Sequence, residues 1–200
     1  MSKRWVMDRK KDYYYRKAKK ENYRSRAAYK LMQLDERFKL FREGYIVIDL
    51  GASPGGWSQV ASAKVGTSGR VISIDLKAIE PIEGVDIIKG DARAESTKQE
   101  VRKFISDGHA DIILSDMAPN ISGNYSFDHA RSIELADMAI EYSAIFLRKG
   151  GNLAVKVFDG DMAQDFFKQI VSQFKVAKRF APKASRKTSS EIYMIGKDKR

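Results

Sequence analysis

The chain has 200 residues, 43% of them hydrophobic, and its 37 Lys/Arg against 26 Asp/Glu give a net charge of +11. That length fits one domain with a real core rather than two; the lack of cysteine removes disulfide frameworks and thiolate metal sites, and with only His109 and His129 no metal centre is expected. No apolar run approaches the roughly 18 residues of a membrane span, and the opening "MSKRWVMDRKKDYYY" has no apolar signal-peptide core, so the expectation is a cytoplasmic protein with no membrane partner.

Charge is concentrated at the two ends of the sequence. Residues 1–30 carry twelve basic and three acidic side chains, residues 175–187 carry six basic and none acidic, and the stretch 31–174 is acidic by five charges. A polyanion is the implied partner. In "DYYYRKAKKENYRSR" the residues Tyr13, Tyr14, Tyr15 and Tyr23 interleave with Lys and Arg, a combination that stacks on exposed bases while neutralising phosphates, so RNA is favoured over a lipid surface. The structural alternative is a tyrosine-rich helix packed on the domain. Residues 1–24 read as an extension that orders on binding and 25–200 as the domain.

From Ser25 onward, helical segments alternate with apolar runs. Helices are expected over Ser25–Leu40, Trp57–Lys64, Ser96–Ser106, Asp128–Leu147 and Asp161–Gln173. Strands are expected over Tyr45–Leu50, Arg70–Leu76, Val85–Lys89, Asp111–Ser115, Asn152–Phe158, Lys175–Phe180 and Glu191–Ile195. The alternation predicts an α/β, Rossmann-like doubly wound fold: a seven-stranded, mostly parallel sheet with helices on both faces. Only "APKASRKTSS" separates the last two strands, too short for a crossover helix, so they should form an antiparallel hairpin.

Ligands in such sheets bind beyond the carboxyl ends of the strands, and those ends are rich in glycine and acid here. "VIDLGASPGGW" joins the first strand to a helix, with Gly51, Gly55 and Gly56 allowing a tight turn and a close backbone approach. Asp75 ends the second strand, where a carboxylate can accept from ribose hydroxyls, and Asp91 follows the third, where one can accept from an adenine amino group. The G-x-x-x-G-G spacing departs from the dinucleotide G-x-G-x-x-G, and Asp49 would repel a pyrophosphate. A cationic ligand suits the loop better, and S-adenosylmethionine carries an ammonium and a sulfonium.

The fourth strand ends in "DIILSDMAPN", which sets Asp116 beside the same crevice. The fifth, "GGNLAVKVF", holds Lys156 inside an apolar run, where a lysine needs a partner. Lys30 in "SRAAYKLMQL" and Glu191 in "SSEIYMIG" are further polar intrusions, and the four are expected to form a mutually paired cluster.

These segments closely resemble the FtsJ/RrmJ-type ribosomal RNA large-subunit 2′-O-ribose methyltransferases. "SRAAYKL", "DLGASPGGWSQV", "DLKAIEPIEGVDIIKGD", "SDMAPNISG", "LAVKVFDG" and "RKTSSEIYMIG" carry the resemblance in the family's order, from about Ser25 to Gly196. It implies a catalytic tetrad at Lys30, Asp116, Lys156 and Glu191, with Lys156 as the base, and S-adenosylmethionine contacts at Gly55, Trp57, Asp75, Asp91 and Asp116. Ser53 stands where the family's glycine loop has alanine, a small change. The implied reaction is methylation of a uridine ribose in large-subunit rRNA. As a base, Lys156 would need a lowered pKa, which burial and the like charge of Lys30 favour and Asp116 opposes. Transfer RNA is the nearest alternative substrate, and a non-catalytic RNA-binding module of the same fold is the alternative from another class. Base N-methylation is disfavoured because Asp116-Met117-Ala118-Pro119 lacks the two prolines and aromatic of that motif. A dinucleotide oxidoreductase is disfavoured by the glycine spacing.

Overall fold

Along β1 (Ile46–Leu50) successive side chains face opposite sides of a sheet that is covered on both: Val47 packs with one apolar cluster, Ile48 and Leu50 with another. Burial on both faces is why the strands read as near-continuous apolar runs. The computed structural model describes residues 12–105, 107–186 and 188–200. Residues 1–11 of the basic extension, Ser106 at the expected end of the third helix, and Lys187 lie outside the described residues.

In chain order, the elements before β1 are α1 (Tyr13–Lys20) and α2 (Ala28–Phe38). After β1 come α3 (Gly56–Val65), β2 (Arg70–Asp75), β3 (Val85–Lys89), α4 (Glu95–Phe104), β4 (Ala110–Ser115) and α5 (Tyr125–Phe146). The chain finishes with β5 (Leu147–Phe158), α6 (Ala163–Gln173), β6 (Phe174–Phe180) and β7 (Glu191–Lys199). The seven strands form one sheet in the order β3-β2-β1-β4-β5-β7-β6. β1 to β5 run parallel, and β7 is antiparallel to both β5 and β6, giving the expected terminal hairpin. The order reverses between β1 and β4, so the crevice opens there, above Leu50 and Ser115.

On one face α4, α5 and α6 bury Val101, Ile133, Tyr142, Phe146, Phe166 and Ile170. Ala163, Phe166 and Ile170 recur at helical spacing, which puts them on one side of α6; burying a side chain such as Phe166 or Ile170 stabilises by roughly 1.5–3 kcal/mol. On the other face α2 and α3 contribute Leu31, Leu34, Trp57 and Val60 against Val47, Val71, Leu114 and Tyr193.

Three differences from the expected elements have local causes. β5 begins at Leu147 rather than Asn152, because Lys149–Gly151 are absorbed by a register shift between the Ala110↔Leu147 and Ile112↔Asn152 pairs. Gly150, at φ +76°, permits that bulge. β7 runs on to Lys199 because β6 pairs with it as far as Phe174↔Lys199. Residues 13–20 form a helix, α1, whose N-cap Asp12 accepts from the Tyr15 amide. Tyr14 and Tyr23 each pack on the buried Tyr29 of α2, with ring centroids 5.5 and 5.8 Å apart, while Tyr13 stays exposed.

Candidate active site

The sequence pattern set Asp116 and Lys156 near the ends of the fourth and fifth strands, Lys30 within a helix and Glu191 at the opening of the last strand, and the fold brings all four together in two linked pairs. Lys156, near the end of β5, is 6% exposed. Its Nζ lies 2.9 Å from Asp116 Oδ1 and donates to the Asp116 carbonyl at 2.5 Å. Lys30 on α2, 8% exposed, reaches the two Glu191 carboxylate oxygens at 2.6 and 2.7 Å. Two ammonium groups this deeply buried are tolerable only because each has a carboxylate against it.

Tyr193 joins the pairs, and sequence reasoning missed it. Its hydroxyl donates to Asp116 Oδ1 at 2.6 Å, and the Lys30 ammonium lies 5.8 Å from the centre of its ring. A signal existed: Tyr193 is two residues beyond Glu191 on β7, hence on the same face, and it sits directly opposite Lys156 across the antiparallel pair. Burial, followed by the charges of Asp116 and Glu191, pushes the Tyr193 phenol well up, so it stays protonated as a donor. Burial also pushes the Asp116 carboxyl up, but Lys156, Lys30 and the Tyr193 hydroxyl outweigh it and hold that carboxyl below its ordinary range. Asp116 is therefore a fixed anion between a lysine and a phenol.

The glycine loop borders this cluster. Gly51 has φ +70° and Gly55 φ +108°; an added Cβ would fall 2.3 Å from Met117 Cγ at the first and 2.6 Å from Ile82 Cδ1 at the second. Both the backbone conformation and the closeness of neighbours demand glycine. Gly55 caps α3, so the first amides of that helix, Trp57 among them, have no partner within the helix. The Trp57 indole is buried, donates to the Ala27 carbonyl at 2.8 Å and packs on Tyr193 at 5.6 Å.

Asp75 accepts from the amides of Ser53 (2.9 Å) and Lys77 (2.8 Å), tying the end of β2 to the glycine loop. The Ser53 contact is made by its backbone, so the side chain at that position is immaterial to it. Asp91, after β3, is held by the side chain of Arg93 at 2.7 Å and by its amide at 3.0 Å, hydrogen bonds that keep its carboxyl below the ordinary range. Its acceptor capacity is thus shared with Arg93.

Two further features lay outside the expected tetrad and donor contacts, although Asp49 was expected to disfavour a pyrophosphate. Arg24 donates to the carbonyls of Pro54 (3.3 Å), Glu80 (2.5 Å) and Pro81 (2.7 Å), clamping the glycine loop to the loop after β2. Asp49 is fully buried below α3, where Oδ2 accepts from Ser58 at 2.8 Å and Ser58 accepts from Ser73 at 2.8 Å, while Oδ1 has no partner. Burial, opposed by the Ser58 hydrogen bond and reinforced by Asp116 and Asp75, pushes the Asp49 carboxyl up to about 7. A glycine-only cradle, free helix amides, acceptors at successive strand ends and an orphaned buried oxygen fit a nucleoside ligand with a cationic tail.

Comparison with known proteins places this geometry. Residues 23–199 match the FtsJ-like methyltransferase family. The chain is 50% identical over 188 residues, 94% of its length and 69% of the relative's, to a Methanosarcina mazei protein named ribosomal RNA large subunit methyltransferase E. It is 47% identical to the Archaeoglobus fulgidus protein of the same name, covering 96% of this chain and 97% of that one. A crystal structure from Plasmodium falciparum, described as a ribosomal RNA methyltransferase, superposes with a TM-score of 0.78 at 30% identity, over 88% of this chain and 98% of that one. With that match spanning every strand and all four clustered charges, this chain belongs to the FtsJ-like methyltransferases.

Proposed function

We propose that this protein is a cytoplasmic S-adenosylmethionine-dependent methyltransferase acting on a ribose 2′-hydroxyl, that of a uridine in large-subunit ribosomal RNA. The observation that carries the reading is the convergence of Lys30–Glu191 and Lys156–Asp116, joined by Tyr193, at the rim of the glycine loop. The names of the relatives support the rRNA substrate, and the resemblance to ribose methyltransferases supports the 2′-oxygen. Gly55, the Trp57 amide, Asp75, Asp91 and Asp116 would hold the donor, which supplies an electrophilic methyl on a sulfonium.

A ribose hydroxyl is a poor nucleophile. Lys156, after releasing its own proton to solvent, takes the 2′-hydroxyl proton as the new oxygen–carbon bond forms and the carbon–sulfur bond breaks. Asp116 fixes the direction of the amine and supplies a negative charge near the sulfonium. Lys30, held by Glu191, offers N–H donors to the ribose or its neighbouring phosphate. Alignment of oxygen and methyl contributes beyond the proton transfer itself, by several kcal/mol in well-oriented systems. The basic residues 1–24 would contact RNA phosphates.

The test is incubation with methyl-labelled donor and, separately, ribosomal large subunits, naked rRNA and tRNA, followed by mapping of the label. A 2′-O-methyl group on an rRNA uridine is expected. Label on a base, or on tRNA alone, overturns the assignment.

A further inference from the structure

A cavity of about 460 Å³ opens beside the tetrad, sharing Glu191 with it and bounded also by Tyr125, Asp159, Gly160, Ala181 and Ile192. None of these besides Glu191 takes part in the chemistry described above. Tyr125, the first residue of α5, is 60% exposed, yet its ring is held from two sides. Its hydroxyl donates to the Asp159 carbonyl at 2.6 Å, and its ring lies parallel to that of the buried His129, 8° between planes and 6.1 Å between centres. His129 is itself anchored, accepting from the Met162 amide at 3.1 Å. Gly160 closes the arrangement: a Cβ there would fall 2.8 Å from His129 Cε1 and 2.9 Å from the Tyr125 hydroxyl, so a larger residue would displace the ring.

An exposed aromatic fixed in this way has lost its rotamer freedom before any ligand arrives, which lowers the entropic cost of stacking on it. The other walls define what it meets. Ala181 and Ile192 are apolar, Ser189 and Ser190 carry hydroxyls, Asp159 is acidic, Glu191 is paired with Lys30, and among the described residues no basic side chain lines the cavity. The Asp159 carboxylate can accept from the ring N–H or amino group of a nucleobase, which a phosphate does not offer. Arg179 lies in β6, and Lys183 and Arg186 in the segment after it that also supplies Ala181 to the cavity wall, cations that suit the backbone of an RNA whose base turns in.

We infer that this cavity receives an unpaired base of the RNA substrate, stacked on Tyr125 and adjoining the ribose presented to Lys156. The inference rests on the reading of the substrate as RNA, but its test does not need the modified nucleotide to be known. Binding of a short oligouridylate and of an abasic oligoribose phosphate of equal length is measured for wild type, Tyr125→Ala, Tyr125→Phe and Tyr125→Trp. Wild type should prefer the base-bearing oligomer. Tyr125→Ala should lose roughly 5- to 150-fold on it, the range of one base–aromatic stack, and nothing on the abasic one. Tyr125→Phe and Tyr125→Trp should stay within a few fold of wild type, and donor affinity should be unchanged in all four. Equal affinity of wild type for the two oligomers, or an equal loss on both in Tyr125→Ala, overturns the inference. Failure of the methyl-mapping experiment with these binding results intact would instead remove the catalytic reading.

Discussion

A lysine in the middle of an apolar strand is stable here because the fold surrounds its ammonium with oxygens: a carboxylate and a carbonyl, both from Asp116. Those two acceptors fix where the buried Lys156 amine points. Lys156→Ala is expected to lower turnover by at least a hundredfold, on the order of what a positioned base supplies, with donor binding within a few fold. Unchanged turnover in a single-turnover assay would remove Lys156 as the base. Tyr193→Phe tests the link between the pairs. It deletes one hydrogen bond to a buried anion, so a stability loss of about 1.5–3 kcal/mol in denaturant titration and a fall in turnover are expected together; a variant as stable and active as wild type would show that the phenol only fills space. At this scale Lys30, Asp116, Lys156 and Glu191 stood out in the sequence because a charge inside an apolar pattern is conspicuous. Tyr193 did not, because a tyrosine in a strand is ordinary until its partner across the ladder is known.

Elements were legible where periodicity alone decides them. The first four strands and the helices α3 and α6 lie within a residue or two of their expected bounds, since strands buried on both faces and one-sided apolar helices leave strong patterns. α1 was expected only as the alternative to an extension that orders on binding, because its composition is dominated by charge and tyrosine, and what holds it is a ring cluster with Tyr29, a residue of another helix. That packing separates the two readings of the basic segment by residue. Tyr14 and Ala18 face the domain, whereas Arg16, Lys19 and Lys20 are exposed. Replacing these three cations by glutamine should leave thermal stability nearly unchanged but make the salt dependence of RNA affinity shallower, by roughly 0.7 for each phosphate of a single strand that is no longer neutralised. An identical slope of log affinity against log salt would reduce the face of α1 to a solubilising surface. Removing all of residues 1–24 is a poorer test, because Arg24 goes with them and takes its clamp on the glycine loop.

For the whole molecule, Asp49 links stability to pH. Its carboxyl is raised to about 7 in the fold, so between the ordinary carboxylate range and about 7 the folded chain binds a proton that the unfolded chain has released. Stability from this group is therefore fully present below about pH 4, falls as pH rises to about 7, and levels off above it. The loss is on the order of 4 kcal/mol at most, by the conversion of about 1.4 kcal/mol per pH unit. Asp49→Asn should remove that decline, so without donor the variant gains on wild type between about pH 5 and pH 8. Parallel curves of unfolding midpoint against pH would show that Asp49 is ionised throughout. Asp116 and Asp91, both held below the ordinary range, act in the opposite sense at acid pH, and comparison with the variant isolates Asp49 from them.

What the sequence determined by itself was local and additive: which runs are strands, which loop must be glycine, where charge sits along the chain, and which polar residues interrupt apolar segments. Each of these follows from side-chain chemistry within a few neighbouring positions. Only the tertiary structure decided which of them meet. Lys30 and Glu191 are 161 positions apart, and the distance between them is set by the sheet order β4-β5-β7 and by the packing of α2 against one face. The same holds for the partner of Lys156, the phenol that joins the two pairs, the clamp at Arg24, the orphaned oxygen of Asp49 and the fixed ring of Tyr125. All depend on long-range closure of the chain, whose result no local pattern encodes.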